Sequence, residues 1–183
     1  QLYDKITTKE IDEALILSAR AKIEKEPNYS KAAAALAVNA LYKEVFRESV
    51  DSDTFDLQYK KSFVQGIKKL VKSEILNEKL LEYDLKKLSE ALMPERDRKF
   101  KYLGLQILID RYFIRNNNKI IESPQAFWMR IAMGLALNED NKEERAIEFY
   151  NLFSNLLYTP STPTLFNSGT THSQLSSCYL NTF

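Results

Sequence analysis

The residues best suited to chemistry lie near the end of the sequence. Residues 159–169 read Thr-Pro-Ser-Thr-Pro-Thr-Leu-Phe-Asn-Ser-Gly, and Gln174-Leu175-Ser176-Ser177-Cys178 follows five residues later. Such a stretch is dense in hydroxyls and free backbone amides, and its prolines stiffen it. It can bind phosphate oxygens without cationic side chains, because successive N–H groups and hydroxyls supply the donors. It then delivers a cysteine at the start of a run that alternates like a strand. The plainer reading of the same residues is a hydroxyl-rich surface turn ahead of a buried, inert thiol. Cys178 is the only cysteine, so any redox work needs a partner thiol from another segment or another molecule. His172 is the only histidine, which excludes a His-rich metal site and any relay of two imidazoles. A loop-anchoring role suits it better than acid–base work.

These residues must be positioned by helices. The chain has 183 residues, 44% hydrophobic and 28% charged, with only 4 Gly and 5 Pro. So few breakers favour helices over a turn-rich β fold. The net charge of +1 leaves no electrostatic footprint for nucleic acid. Lys60, Lys61, Lys68, Lys69 and Lys72 cluster, but acids follow closely, and they read as the solvated face of a helix. No apolar run approaches the roughly 20 residues needed to cross a bilayer. Gln1-Leu2-Tyr3-Asp4-Lys5 has no signal-peptide shape, so a cytoplasmic location is the expectation. Without an initiator Met, and entering a helical pattern almost at once, the chain is expected to start inside a longer protein.

Periodicity predicts the elements in order. Ile11, Leu15, Ser18 and Ala19 recur at helical spacing, with Thr7 or Thr8 as N-cap. After a break at Pro27, a second helix is predicted over 31–46, where Ala32 to Ala35 invite close approach of another helix. A third is predicted over 55–73, with Phe55, Tyr59, Phe63, Ile67 and Leu70 on one face. Shorter helical stretches follow over 84–92 and 98–111. Residues 112–114 and 119–121 flank Asn116-Asn117-Asn118, which reads as a β-hairpin. Ser123-Pro124 opens a helix with Pro at its first position, and Trp128 belongs to the core. A last helix is predicted over 142–158, with the aromatic stripe from Phe149 to Phe153 in the core. Helical period is absent from 159 onward, and residues 178–183 suit one strand, which must pair with strands outside this chain.

Against these elements the motifs acquire a family resemblance. The string from Ser161 to Gly169, closed by Gln174-Leu175-Ser176-Ser177-Cys178, resembles the start of the catalytic barrel in ribonucleotide reductase large subunits, class I above all, with the cobalamin-dependent class II close behind. The run from Pro124 to Met133, with Tyr102-Leu103-Gly104-Leu105-Gln106 and Arg111-Tyr112, is similar to the helical domain preceding that barrel. Residues 3–43 resemble the back half of the family's N-terminal ATP-cone. The resemblance covers nearly the whole chain and implies a mainly α fold with a small β-hairpin, ending in a loop and the first strand of an incomplete α/β barrel. It implies three regions: residues 1–50 as half a cone, 51–158 as the helical domain, and 159–183 as the phosphate loop and first barrel strand.

The resemblance also implies roles. Thr162 matches a threonine that holds the substrate's phosphates, and Ser177 a serine lining the substrate pocket. Cys178 matches one of two cysteines that supply reducing equivalents and end as a disulfide. Removing a ribose 2′-hydroxyl consumes two electrons, which a dithiol provides and a single thiol does not. Thr8 and Lys43 match positions that contact a regulatory nucleotide, although Thr8 also suits a helix start and Lys43 an ordinary exposed lysine. No metal or cofactor is expected in this chain. ATP and dATP are implied as effectors of the complete subunit, and a metal-bearing small subunit, or cobalamin, as the radical source. The remaining part of the subunit, a thioredoxin or glutaredoxin system and the nucleotide substrate are the other implied partners. The radical cysteine, the second redox cysteine, the active-site glutamate and asparagine, and a C-terminal cysteine pair would lie beyond Phe183. A second reading of the same residues is a stand-alone helical interaction or nucleotide-regulatory module with a disordered tail.

Overall fold

A computed structural model describes residues 5–178 and Leu180. It is mainly helical, with one two-stranded hairpin among the described residues. The chain forms two compact units, Gln1–Ser52 with Glu95–Ile121, and Asp53–Pro94 with Glu122–Phe183.

In the first unit, α1 (Thr8–Arg20) starts at Thr7 rather than Thr8. Thr7 Oγ1 accepts from the Glu10 N–H at 3.3 Å, and Glu10 Oε2 accepts from the Thr7 N–H at 2.8 Å. This reciprocal cap satisfies two of the amides that a helix start leaves unpaired. Helix α2 (Tyr29–Phe46) packs on α1 and buries Ala33, Ala34 and Ala37, the close approach that the alanine run predicts. The apolar stripe predicted for α1 is largely uncovered. Ala19 is its one buried residue, while Leu15 and Leu17 are 48% and 58% exposed. A helix with one principal neighbour buries only a narrow strip.

The region predicted as one helix over 98–111 is divided. A 3₁₀ segment (Pro94–Lys99) precedes α5 (Tyr102–Ile107), which passes directly into a π-helical turn at Leu108–Tyr112. The hairpin β1 (Arg115–Asn116) and β2 (Lys119–Ile120) turns at Asn117 and Asn118, whose φ values are +51° and +60°. Both central residues are left-handed, as a type I′ turn requires, and asparagine tolerates that conformation. The Ile121 N–H donates to Ile114 O at 3.1 Å and extends the pairing by one step. In the core of this unit, Tyr42 Oη donates to buried Asp97 at 2.6 Å. Burial, then the Asp97 charge, push the Tyr42 phenol far above its ordinary pKa.

The second unit is built on α3 (Phe55–Lys72) and α6 (Pro124–Leu135). Tyr59, Phe63, Ile67 and Leu70 of α3 are buried, as their spacing predicts, and the lysines stand on the remaining face. Every residue of α6 from Pro124 to Met133 is buried. A helix buried on all sides belongs at the centre of its unit. Ser123 is the N-cap residue by backbone geometry, but its hydroxyl makes no capping bond and is buried without a partner. Tyr59 Oη accepts from the Gln125 N–H at 3.1 Å, and Tyr150 Oη donates to Gln125 Oε1 at 2.7 Å. Tyr150 also accepts from the Met93 N–H, and Tyr83 donates to Met133 O. These tyrosine hydroxyls join α3, α6, α7 (Lys142–Ser154) and the segments on either side of α4 (Leu85–Glu90). Helix α7 ends four residues sooner than predicted, because Leu156 takes a left-handed φ of +60°.

Candidate functional site

The predicted irregular loop contains a helix. Thr162–Asn167 form α8, with Ser161 as N-cap residue and Pro163 in the first turn. Proline suits that place, since its missing N–H would have no helical partner there. Thr164 and Leu165 are buried, whereas Thr162 is exposed at the first helical position. Ser161 Oγ and Thr164 Oγ1 lie 3.2 Å apart in hydrogen-bond contact.

The far end of α8 is docked on α6. Arg130 and Glu122, both buried, form an ion pair at 2.6 Å. The Arg130 guanidinium also donates to Ser168 O at 2.8 Å and to Leu165 O at 3.3 and 3.4 Å. Ser168 Oγ donates to Ile131 O at 2.8 Å. Gly134 of α6 lies against the backbone here: a Cβ on it would collide with Gly169 N and Ser168 Oγ. Gly169 itself has φ +78°, which favours glycine. The next residues are pinned to the segment after α3. Thr170 bridges Leu76, the Asn77 N–H donates to Gly169 O, and the Thr171 N–H donates to Ile75 O.

Beyond Thr171 the chain turns back along α8. Asn167 Nδ2 donates to Gln174 O at 2.7 Å, and Thr164 Oγ1 donates to Leu175 O at 3.4 Å. Gln174 and Leu175 thus meet successively earlier residues of α8. Ser177 Oγ contacts Cys178 Sγ at 3.9 Å, and Ser176 Oγ donates to Cys178 O at 3.0 Å. Cys178 is exposed, not buried as the plainer reading has it. No strand is formed at Cys178 or Leu180; the other residues of the predicted strand, Tyr179 and 181–183, lie outside the described residues. His172 is exposed, and its carbonyl accepts from the Gln174 N–H.

Thr8 and Lys43 belong to the other unit. Thr8 is exposed in the first turn of α1, one turn before Asp12. Lys43 Nζ sits 2.7 and 2.9 Å from the two Asp12 carboxylate oxygens. The three residues therefore share one helix-pair face, with the lysine already engaged by a carboxylate. An anion using Lys43 has to share or displace the Asp12 carboxylate.

Sequence reasoning did not single out Arg130, Glu122 or Asp12. A signal for Arg130 was present: it is the one charge in an otherwise apolar α6, and a buried charge demands a counter-ion. Periodicity does not reveal which acid answers it. No helix is long and apolar enough to cross a membrane among the described residues.

Residues 98–173 match the family described as "Ribonucleotide reductase, all-alpha domain". Over 99% of its length the chain is 49% identical to the ribonucleoside-diphosphate reductase subunit alpha of Chlamydia pneumoniae, of which it covers 17%. It is 40% identical to the subunit of that name from Helicobacter pylori, of which it covers 22%. With the ribonucleoside-diphosphate reductase large subunit of monkeypox virus it shares 35%, covering 23%. The chain thus spans about a fifth of the length of these relatives. It belongs to the ribonucleotide reductase large-subunit family, as a portion that includes the all-α domain.

Proposed function

We propose that this chain is part of a catalytic subunit that reduces ribonucleoside diphosphates to deoxyribonucleotides for DNA synthesis. The relatives' names support the diphosphate. Within that reaction Cys178 is one of two redox thiols. The ribose 2′-hydroxyl leaves as water, and the two electrons come from a pair of thiols that closes to a disulfide. The second thiol, and the radical that initiates such a reduction, come from other segments and partners: the rest of the subunit and a metal-bearing small subunit, or cobalamin. A thioredoxin or glutaredoxin system reopens the disulfide. The exposed Thr162 hydroxyl contributes to holding the substrate's phosphates, and Ser177 lines the pocket beside Cys178.

The observation that carries this reading is an exposed thiol three residues beyond Leu175, whose carbonyl is bonded to Thr164 of α8, two residues from Thr162. Near-complete coverage by reductase relatives favours it over a stand-alone helical module. Thr8 and Lys43 are proposed to meet an adenine nucleotide effector that competes with Asp12 for the lysine, in a cytoplasmic enzyme.

The test uses the complete subunit with its radical source. Cys178→Ser is expected to abolish multiple turnover with a thiol reductant. Thr162→Ala is expected to raise KM for the nucleotide about tenfold, the worth of one hydrogen bond to a charged group. Sustained turnover by the Cys178→Ser enzyme would overturn the redox assignment and favour a module without catalysis.

A further inference from the structure

We propose that Arg130, held by Glu122, is a positioning residue that sets where α8 presents Thr162. The inference rests on the reading of Thr162 as a phosphate contact and adds the element that places it.

The guanidinium is fully buried and makes five bonds, matching its five N–H donors. Nε and Nη2 donate to the two Glu122 oxygens at 2.6 and 3.3 Å. The remaining bonds go from Nη1 and Nη2 to Leu165 O, and from Nη1 to Ser168 O. Those carbonyls stand at the C-terminal end of α8, where helix carbonyls lack partners and carry partial negative charge. Glu122 balances the cation, so it meets them without leaving an unpaired buried charge. Two apolar side chains would fill the same volume without desolvating two ions. What they would not supply is a planar fork joining three fixed acceptor groups. A lysine would not either, since its donors radiate from one atom.

Ser168 Oγ on Ile131 O and the bare Gly134 surface complete the dock. Six helical residues span about 9 Å. Such a short rod, fixed at one end, has little freedom at the other, and the free end carries Thr162. The carbonyls of Gln174 and Leu175 are bonded to α8 as well, so a shift of the helix would carry the approach to Cys178 with it.

The experiment compares the complete subunit bearing Arg130→Lys with the double variant Glu122→Gln/Arg130→Met, which removes both charges and keeps the volume. The double variant keeps the test informative if Arg130→Lys does not fold. Hydrogen exchange at the Leu165, Ser168 and Thr170 amides and steady-state kinetics are read together, with Thr162→Ala as reference. Faster exchange at those amides is expected, with KM for the nucleoside diphosphate raised about tenfold, as for loss of the Thr162 hydrogen bond itself. In both variants kcat should change far less than KM, the signature of lost substrate binding. Unchanged exchange in a folded variant overturns the inference, and so does faster exchange with an unchanged KM. If Thr162→Ala alone leaves KM unchanged, the phosphate reading fails, and exchange still reports separately whether Arg130 holds α8.

Discussion

At the scale of single residues, Gly134 separates two opposing effects. In a helix interior, alanine is favoured over glycine by roughly 1 kcal/mol. Here the added Cβ would collide with the Gly169 backbone and lie 2.7 Å from Gly169 Cα. Gly169 has little room to retreat, because its carbonyl is bonded to Asn77 and its neighbour Ser168 to Ile131 and Arg130. Overpacking of this kind costs about 1–3 kcal/mol, and more where backbone must move. The clash wins, so Gly134→Ala should lower the unfolding free energy by roughly 2 kcal/mol, read from denaturant midpoints at unchanged slope. A stabilised Gly134→Ala protein would mean that α8 is not seated on α6. Thr162 and Cys178 draw attention by type, as a hydroxyl and a thiol, but the roles proposed for them come from the family resemblance of the motif around them. Gly134 was not legible, since its role depends on Ser168 and Gly169, more than thirty positions later in the chain, being folded against it, and Arg130 announced only that a partner had to exist.

Among the elements, long periodic helices were the readable ones. Tyr59, Phe63, Ile67 and Leu70 repeat over enough turns to define a face, and that face is the buried one. Helix α8 went unread because six residues do not establish a 3.6-residue period, and its prolines and hydroxyls also suit a loop. Burial of Thr164 and Leu165 and the Arg130 cap hold it, and these are tertiary effects. The hairpin was readable from the asparagines and their apolar flanks, although its first strand is Arg115–Asn116 and not 112–114, and its chemistry can be checked apart from packing, because Asn118 is exposed. With φ at +60°, a β-branched side chain at this position would crowd the following carbonyl. Asn118→Val should therefore destabilise the protein by about 1–2 kcal/mol, while Asn118→Gly should not destabilise it at all. Equal loss from both substitutions in urea melts would show that the asparagine side chain, rather than its backbone, matters there.

On the scale of the molecule, chain order and packing order differ. Residues 95–121 follow part of the second unit in sequence, yet belong with Gln1–Ser52. Their buried residues Tyr102, Leu105 and Ile120 lie in elements that pack on α2, with the Tyr102 N–H donating to Ser30 Oγ and the Ile120 N–H to Glu44 Oε1. Local periodicity has no means of reporting such an exchange, because each segment reads as a proper helix whichever neighbour covers it. The consequence is testable with a fragment of residues 53–183. It keeps every segment of the second unit, including the Arg130 and Glu122 pair and the Tyr59, Gln125 and Tyr150 bonds. It deprives residues 95–121 of α2. Amides of α6 should retain slow hydrogen exchange in the fragment, while those of α5 and the π-helical turn should exchange at rates near those of an unfolded chain, since local stability follows local burial. If α6 and α5 lose protection together, the two units fold as one cooperative body, and the α2 contacts stabilise the Thr162 platform as well as their own unit.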